Sequence, residues 1–216
     1  MKIGLIDVDG RNFPNLVLMK LSTYHKTKGD TIEFINIMKT YDVVYNSKVF
    51  TYSKDSDFSV SAREIIKGGT GYYGSDIFKK ILPIEIEHIK PDYSLYSFIK
   101  KYKGCAFGFL TRGCPNKCNF CIVPEKEGNI KAYADIDDFL DNRKIAILMD
   151  NNVLASEHGL KQIEKIVDKK IRIDFNQGLD AKIIAENPDI AKLLSKVKWY
   201  KPLRMACDKK KWYAIC

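Results

Sequence analysis

Short apolar runs alternate with amphipathic stretches along the chain, and their order predicts an α/β protein in two parts. Lys2 to Asp7 is mainly apolar and reads as a buried parallel strand. Asp9-Gly10 marks a turn, and Pro14 suits the first helical position. Leu16, Met19 and Leu21 open a helix that stops at Gly29. Thr31 to Ile35 predicts a second strand, Asp42 to Phe50 contains a third, and Glu64 to Lys67 is a fourth. Strands separated by helices favour a parallel sheet with helices on its faces, so residues 1–95 are expected to form a doubly wound, Rossmann-like domain. Pro83 and Pro91 punctuate a linker toward Tyr93–Tyr102.

A second series occupies residues 96–216. Ala106 to Leu110, Ile145 to Met149, Ile171 to Phe175 and Leu203 to Ala206 read as four strands. Between them, Asp135 to Asp141 suits a short helix, and Leu160, Ile163, Ile166 and Val167 recur at helical spacing. Asn187 and Pro188 make an N-cap and first-turn pair ahead of Ile190, Leu193, Leu194 and Val197. Polar residues gather directly after the strands: a cysteine loop, then Asp150-Asn151-Asn152, then Asn176-Gln177-Gly178. In parallel α/β folds that is the end where ligands bind. Gly68-Gly69-Thr70-Gly71 also follows a strand, but it has neither dinucleotide spacing nor a terminal Lys-Ser or Lys-Thr, and reads as a tight turn.

The 216 residues are 45% hydrophobic and 29% charged, a globular composition. No apolar run is long enough to span a bilayer, and Met1 to Asp9 carries no signal-peptide pattern, so the expected location is the cytoplasm, with no membrane partner. The net charge of +9 leaves nucleic acid open as a partner. Against it, only six of the 36 basic residues are arginine, and the lysines are scattered apart from runs such as Lys209-Lys210-Lys211.

Six cysteines without a signal peptide argue for metal rather than disulfides, and three of them crowd into Arg112-Gly113-Cys114-Pro115-Asn116-Lys117-Cys118-Asn119-Phe120-Cys121. Thiolates suit zinc or iron–sulfur clusters. Gly113 and Pro115 favour a sharp turn, and Arg112 and Lys117 are placed to offset an anionic cluster. Structural zinc asks for a fourth protein ligand. Cys105 stands about 16 Å back along a strand, and His25, His88 and His158 have no ligand spacing to the loop. Cys105, Cys207 and Cys216 are expected to be ordinary small apolar residues.

The spacing Cys114-x-x-x-Cys118-x-x-Cys121, with Phe120 just before the last cysteine, resembles the signature of the radical S-adenosylmethionine superfamily. The resemblance implies a partial (β/α) radical barrel over 96–216, with a 4Fe–4S cluster on Cys114, Cys118 and Cys121 and S-adenosylmethionine on the remaining iron. A one-electron reductant would then release a 5′-deoxyadenosyl radical that takes hydrogen from an unknown substrate. It further implies that Phe120, with the backbone of Ile122 and Val123, contacts adenine. Asp150, Asn151 and Asn152 would receive the cofactor's amino group, in place of the Gly-Gly-Glu type motif of many relatives. Asn176, Gln177 and Arg204 complete the expected cofactor set, although Arg204 equally suits Asp174 or Asp208 as an ion-pair partner.

An α/β domain ahead of a radical domain resembles relatives that bind cobalamin. The histidine motif Asp-x-His-x-x-Gly is absent, because Thr23 precedes His25 and Gly29 lies one residue too far, so cobalamin is not expected and the domain is read as a scaffold or substrate cover. Four strands are fewer than such barrels use, which implies a truncated or split protein, with a partner chain completing the barrel, or a compact variant. Two further classes stay open: a non-catalytic metal-binding module that needs a partner, and an RNA-modifying methylthiotransferase relative. The latter's N-terminal domain carries a cluster, whereas residues 1–95 contain no cysteine.

Overall fold

A computed structural model describes residues 1–10, 12–55, 59–73 and 82–207. The chain divides into two compact units, Met1–Lys103 and a second beginning at Gly104. The division follows Tyr96, Ile99 and Tyr102, which are buried.

The first unit contains β1 (Lys2–Asp7), α1 (Leu16–Thr27), β2 (Thr31–Phe34), β3 (Thr40–Ser47), β4 (Ser61–Gly68), α2 (Thr70–Tyr73) and α3 (Ile84–Glu87). Its sheet runs β2-β1-β3-β4 with every pair parallel. Asn15 caps α1, its side-chain oxygen accepting from Val17 N at 3.1 Å and Leu18 N at 3.3 Å. Gly29, at φ +78°, takes the left-handed position just past the helix. Leu18 and Leu21 then pack on Leu5 with Ile86, forming the core on one face.

The other face departs from the expected alternation of strands and helices. Between β2 and β3 lie five residues, where a parallel connection usually takes a dozen or more. A side chain at Gly4 would meet Ile35, Tyr41 and Val44 at 3.0–3.1 Å, so this glycine lets the short crossover lie directly on β1. Ile6, Tyr41 and Val44 form the thin core there. Gly69, at φ +97°, abuts the Lys48 carbonyl, and Gly71 abuts Lys48 and Phe50. The glycine-rich turn is thus a packing device between neighbouring segments.

The second unit contains β5 (Cys105–Gly108), β6 (Thr111–Arg112), α4 (Val123–Glu127), β7 (Lys131–Ala132), α5 (Ile136–Leu140), β8 (Ile145–Leu148) and α6 (Glu157–Asp168). There follow β9 (Arg172–Phe175), β10 (Leu179–Asp180), α7 (Ala181–Glu186), α8 (Pro188–Leu194), β11 (Lys198–Trp199) and β12 (Met205–Ala206). The main sheet is parallel and runs β11-β9-β8-β5, each strand joining on the same side as its predecessor. Apolar runs such as Ile145–Leu148 are buried because helices and strands enclose them. Ile136, Phe139, Ile163 and Ile166 bring α5 and α6 into that core.

Two sequence expectations change here. The fourth strand of the sheet is Lys198–Trp199, whereas Met205–Ala206 pairs with β10 in a separate two-stranded ribbon. Helix α7 was not anticipated, and Asn187, although it precedes α8, donates its side chain to Ile183 O instead of capping. Lys209-Lys210-Lys211, Asp208 and Cys216 lie outside the described residues.

Candidate metal centre

The cysteine loop leaves the carboxyl end of β5, and its root is pinned before any cysteine is reached. The Asp150 carboxylate, from the end of β8, accepts from Leu110 N at 3.0 Å, Thr111 N at 2.6 Å and Thr111 Oγ1 at 2.7 Å. Asp150 is only 3% exposed. Burial pushes its carboxyl up to about 6, against the pull of those donors. Asp150, which the resemblance places at the cofactor amino group with Asn151 and Asn152, thus also braces the loop root through hydrogen bonds.

The loop also closes on itself. Strands β6 and β7 pair antiparallel, Arg112 opposite Lys131, and Cys114 N donates to Gly128 O at 3.1 Å. Glu127 completes the closure. Its Oε2 accepts from Gly113 N at 3.0 Å and from Asn151 Nδ2 at 2.8 Å, and its Oε1 lies 2.9 Å from Arg112. Arg112 also stacks on Phe109, its guanidinium carbon 4.1 Å from the ring centre. Its charge is thus directed to Glu127. Gly113, at φ +82°, is required because a side chain there would strike Asn129 O at 2.3 Å.

Within this closed loop the three thiols are half-exposed, and no disulfide joins Cys105, Cys114, Cys118, Cys121 or Cys207. Cys121 N donates to Cys118 O at 3.0 Å, and Val123 N approaches Cys121 Sγ at 3.5 Å. Among the described residues no group of three His, Cys, Asp or Glu side chains is gathered into a ready cage for an ion. The donor chemistry nevertheless fits a thiophilic metal group: three thiols on one loop, with N–H donors beside them.

Asn152 supplies the second element of the site. Its Nδ2 lies 3.7 Å from Cys114 Sγ and 3.1 Å from Asp180 Oδ2, which also accepts from Asn116 Nδ2 at 3.0 Å. The residue is 5% exposed, and its Oδ1 is buried with no hydrogen-bond donor among the described residues. Asp180 Oδ1 meanwhile caps α7 through Lys182 N and Ile183 N. An acceptor left in this state is suited to a ligand bearing N–H groups.

The other expected residues lie as follows. Phe120 is 80% exposed on the loop, close in sequence to half-buried Val123. Asn176 is half-buried and Gln177 exposed at the end of β9. Arg204 precedes β12 and binds Asp174 and the Phe175 carbonyl. Asp174, 2% exposed, also pairs with Lys201 at 3.1 Å, so the structure places Arg204 in an ion pair inside the unit. In the first unit both His25 ring nitrogens are taken, Nδ1 by Asp30 at 2.7 Å and Nε2 by the Tyr45 hydroxyl at 3.0 Å.

Glu127 and Asp180 were not singled out from the sequence. Asp180 carried one usable signal, its place just past the polar turn Asn176-Gln177-Gly178. Glu127, flanked by Lys126 and Gly128, resembles any acid at the end of a short surface helix. No helix among the described residues is long and apolar enough to cross a membrane. In comparisons with known proteins, no family model matches the chain and no curated protein is significantly similar to it.

Proposed function

We propose that the second unit holds a 4Fe–4S cluster on Cys114, Cys118 and Cys121, binds S-adenosylmethionine beside it, and belongs to the radical chemistry its cysteine spacing resembles. One observation carries the proposal. At the carboxyl end of one parallel sheet, a three-thiol loop closed at its base meets a buried acceptor, Asn152 Oδ1, that has no donor among the described residues. The strand order β11-β9-β8-β5 adds support, since successive strands joining on one side is how a barrel wall is built.

A bound cluster would supply single-electron reducing chemistry to a sulfonium cofactor. The chain's own part is binding and orientation. The three thiolates would hold iron, Asn152 Oδ1 would accept from the N–H of the cofactor's amino group, and exposed Phe120 would offer an apolar face for the adenine. Asp150 and Glu127 keep the loop from shifting. A one-electron reductant is the required partner, and a further strand-bearing chain is the natural cover for the two-residue edge strand β11.

Anaerobic reconstitution tests the reading. About four irons and four sulfides per chain are expected, and reduction should cleave S-adenosylmethionine. Each Cys→Ser change at the three positions should abolish iron retention. Zinc in place of iron, or a chain that takes up no metal, would falsify the proposal.

A further inference from the structure

We propose that the amino-terminal edge of the second unit's main sheet is a docking surface for the phosphate backbone of a nucleic-acid duplex. The basic residues look dispersed along the chain, but the parallel topology collects them. Strands β8, β9 and β11 run the same way, so the turns that enter them share one end of the sheet. Those turns supply Arg143 and Lys144, then Lys169, Lys170 and Arg172, then Lys196 and Lys198. Arg172 stands in register between Ile145 and Lys198 and donates its backbone N–H to Lys144 O at 2.9 Å. With strands about 4.8 Å apart, these positions line up as a positive row about 10 Å long. The cysteine loop leaves the carboxyl end of the same sheet, so the row is a separate surface and does not rest on the function proposed above.

Little at this edge neutralises the row. Asp141 pairs with Arg143 at 2.7 Å, and Asp137 pairs with Lys169. Lys144, Lys170, Arg172, Lys196 and Lys198 are exposed and form no ion pair among the described residues, while Asp168 is the further acid in these turns. Arg172 and Lys198 are register partners, and like charges set side by side repel until an anion lies along them. Lys170 holds its side chain at φ +55°, where glycine is the relaxed choice. The chemistry of the row selects the partner. A membrane or a protein surface would need apolar anchors, and none of the exposed large apolar residues falls in these turns. A single strand would need an open aromatic platform, whereas the Tyr200 ring is half-buried, with the Arg172 guanidinium carbon 5.3 Å from its centre. What suits the row is a regular ladder of phosphates, contacted through charge and without reading bases.

Fluorescence anisotropy with a labelled DNA duplex of about 20 base pairs tests this on the full chain, with or without a reconstituted cluster. Raising salt from about 50 to about 200 mM should weaken binding about 100- to 1,000-fold. The combined change Lys144→Gln, Lys170→Gln, Lys196→Gln and Lys198→Gln should cost at least about 100-fold at low salt. It should also flatten the slope of log K against log salt by about 3 to 4. A control removes the same charge from exposed positions of the first unit, as Lys28→Gln, Lys39→Gln, Lys54→Gln and Lys90→Gln, and should cost less than about threefold. Thermal melts of both variants should match the parent, because the altered side chains are exposed. Equal losses in the two variants would overturn the proposal by showing that net charge alone acts. So would absence of duplex binding at low salt, tighter binding of the corresponding single strand, or loss of duplex binding on Lys209→Gln, Lys210→Gln and Lys211→Gln alone. Because the measurement needs no iron, its outcome is separate from that of the cluster reconstitution.

Discussion

Burial raises the Asp150 carboxyl to about 6, although three protein donors surround it. A carboxyl whose folded pKa lies above its unfolded value stabilises the fold fully below about pH 4, and that contribution is lost as pH rises through about 6. Asp150→Asn removes the titration while retaining an acceptor. The stability advantage of the native residue over the variant should therefore shrink by about 2 kcal/mol between about pH 4.5 and about pH 8, as read by urea denaturation. A flat difference would show that Asp150 is not desolvated. Glu127 makes a second prediction at this scale. Glu127→Ala leaves Gly113 N, Asn151 and Arg112 without their shared acceptor. Iron affinity after reconstitution is expected to fall roughly 10- to 100-fold, with partial recovery in Glu127→Gln, which still accepts from Gly113 N. The thiols themselves were visible from spacing alone. Their supports were not, because a side chain that braces a loop from fourteen residues away, as Glu127 does for Gly113, leaves no periodic trace.

Helix α5 shows how a short element is held by its ends. Asp135 accepts from Asp137 N at 2.9 Å, its own N–H meets Asp138 at 2.9 Å, and from α6 it receives Gln162 at 2.9 Å and Lys165 at 2.5 Å. Burial raises this carboxyl, but Lys165 and the other donors outweigh it and hold it at about 2. Asp135→Ala should destabilise by about 1–2 kcal/mol, chiefly through the cap, since the ion pair is solvent-screened. On β5, a side chain at Gly108 would lie 2.5–2.6 Å from three atoms of the Phe139 ring. Gly108→Ala is expected to cost about 1–3 kcal/mol by thermal melting, partly restored by Phe139→Leu. Long apolar runs such as Ile145–Leu148 were legible because burial on both faces demands them. The pair Lys198–Trp199 and Met205–Ala206 was misassigned for the opposite reason. Each strand has only two residues, and the more apolar Leu203–Ala206 looked like the better candidate although hydrogen bonding chose otherwise.

Across the whole chain there are two compact units, and each is expected to respond to its own perturbations. Asp92 illustrates this in the first unit. Burial raises its carboxyl, yet Lys26, Ser22 and Ser94 together hold it at about 2, and it ties α1 to the segment near Pro91. Asp92→Ala should lower amide-exchange protection in residues 2–47 while leaving iron uptake by the second unit intact. Loss of iron in that variant would mean the units are energetically one. Parallel pairing was readable from apolar runs and punctuation. The missing helix between β2 and β3 was not, because Gly4, which permits it, looks like any small residue in a strand. That bare connection has a one-sided tolerance. Lengthening a loop adds little entropy, so a Gly-Ser insertion after Met38, itself 88% exposed, should melt within about 1 kcal/mol of the parent. Removing even one residue there shortens a tether that must still reach across β1. The sheet would then have to surrender a strand or slide its alignment, and the molecule can accept slack at this point far more readily than tension.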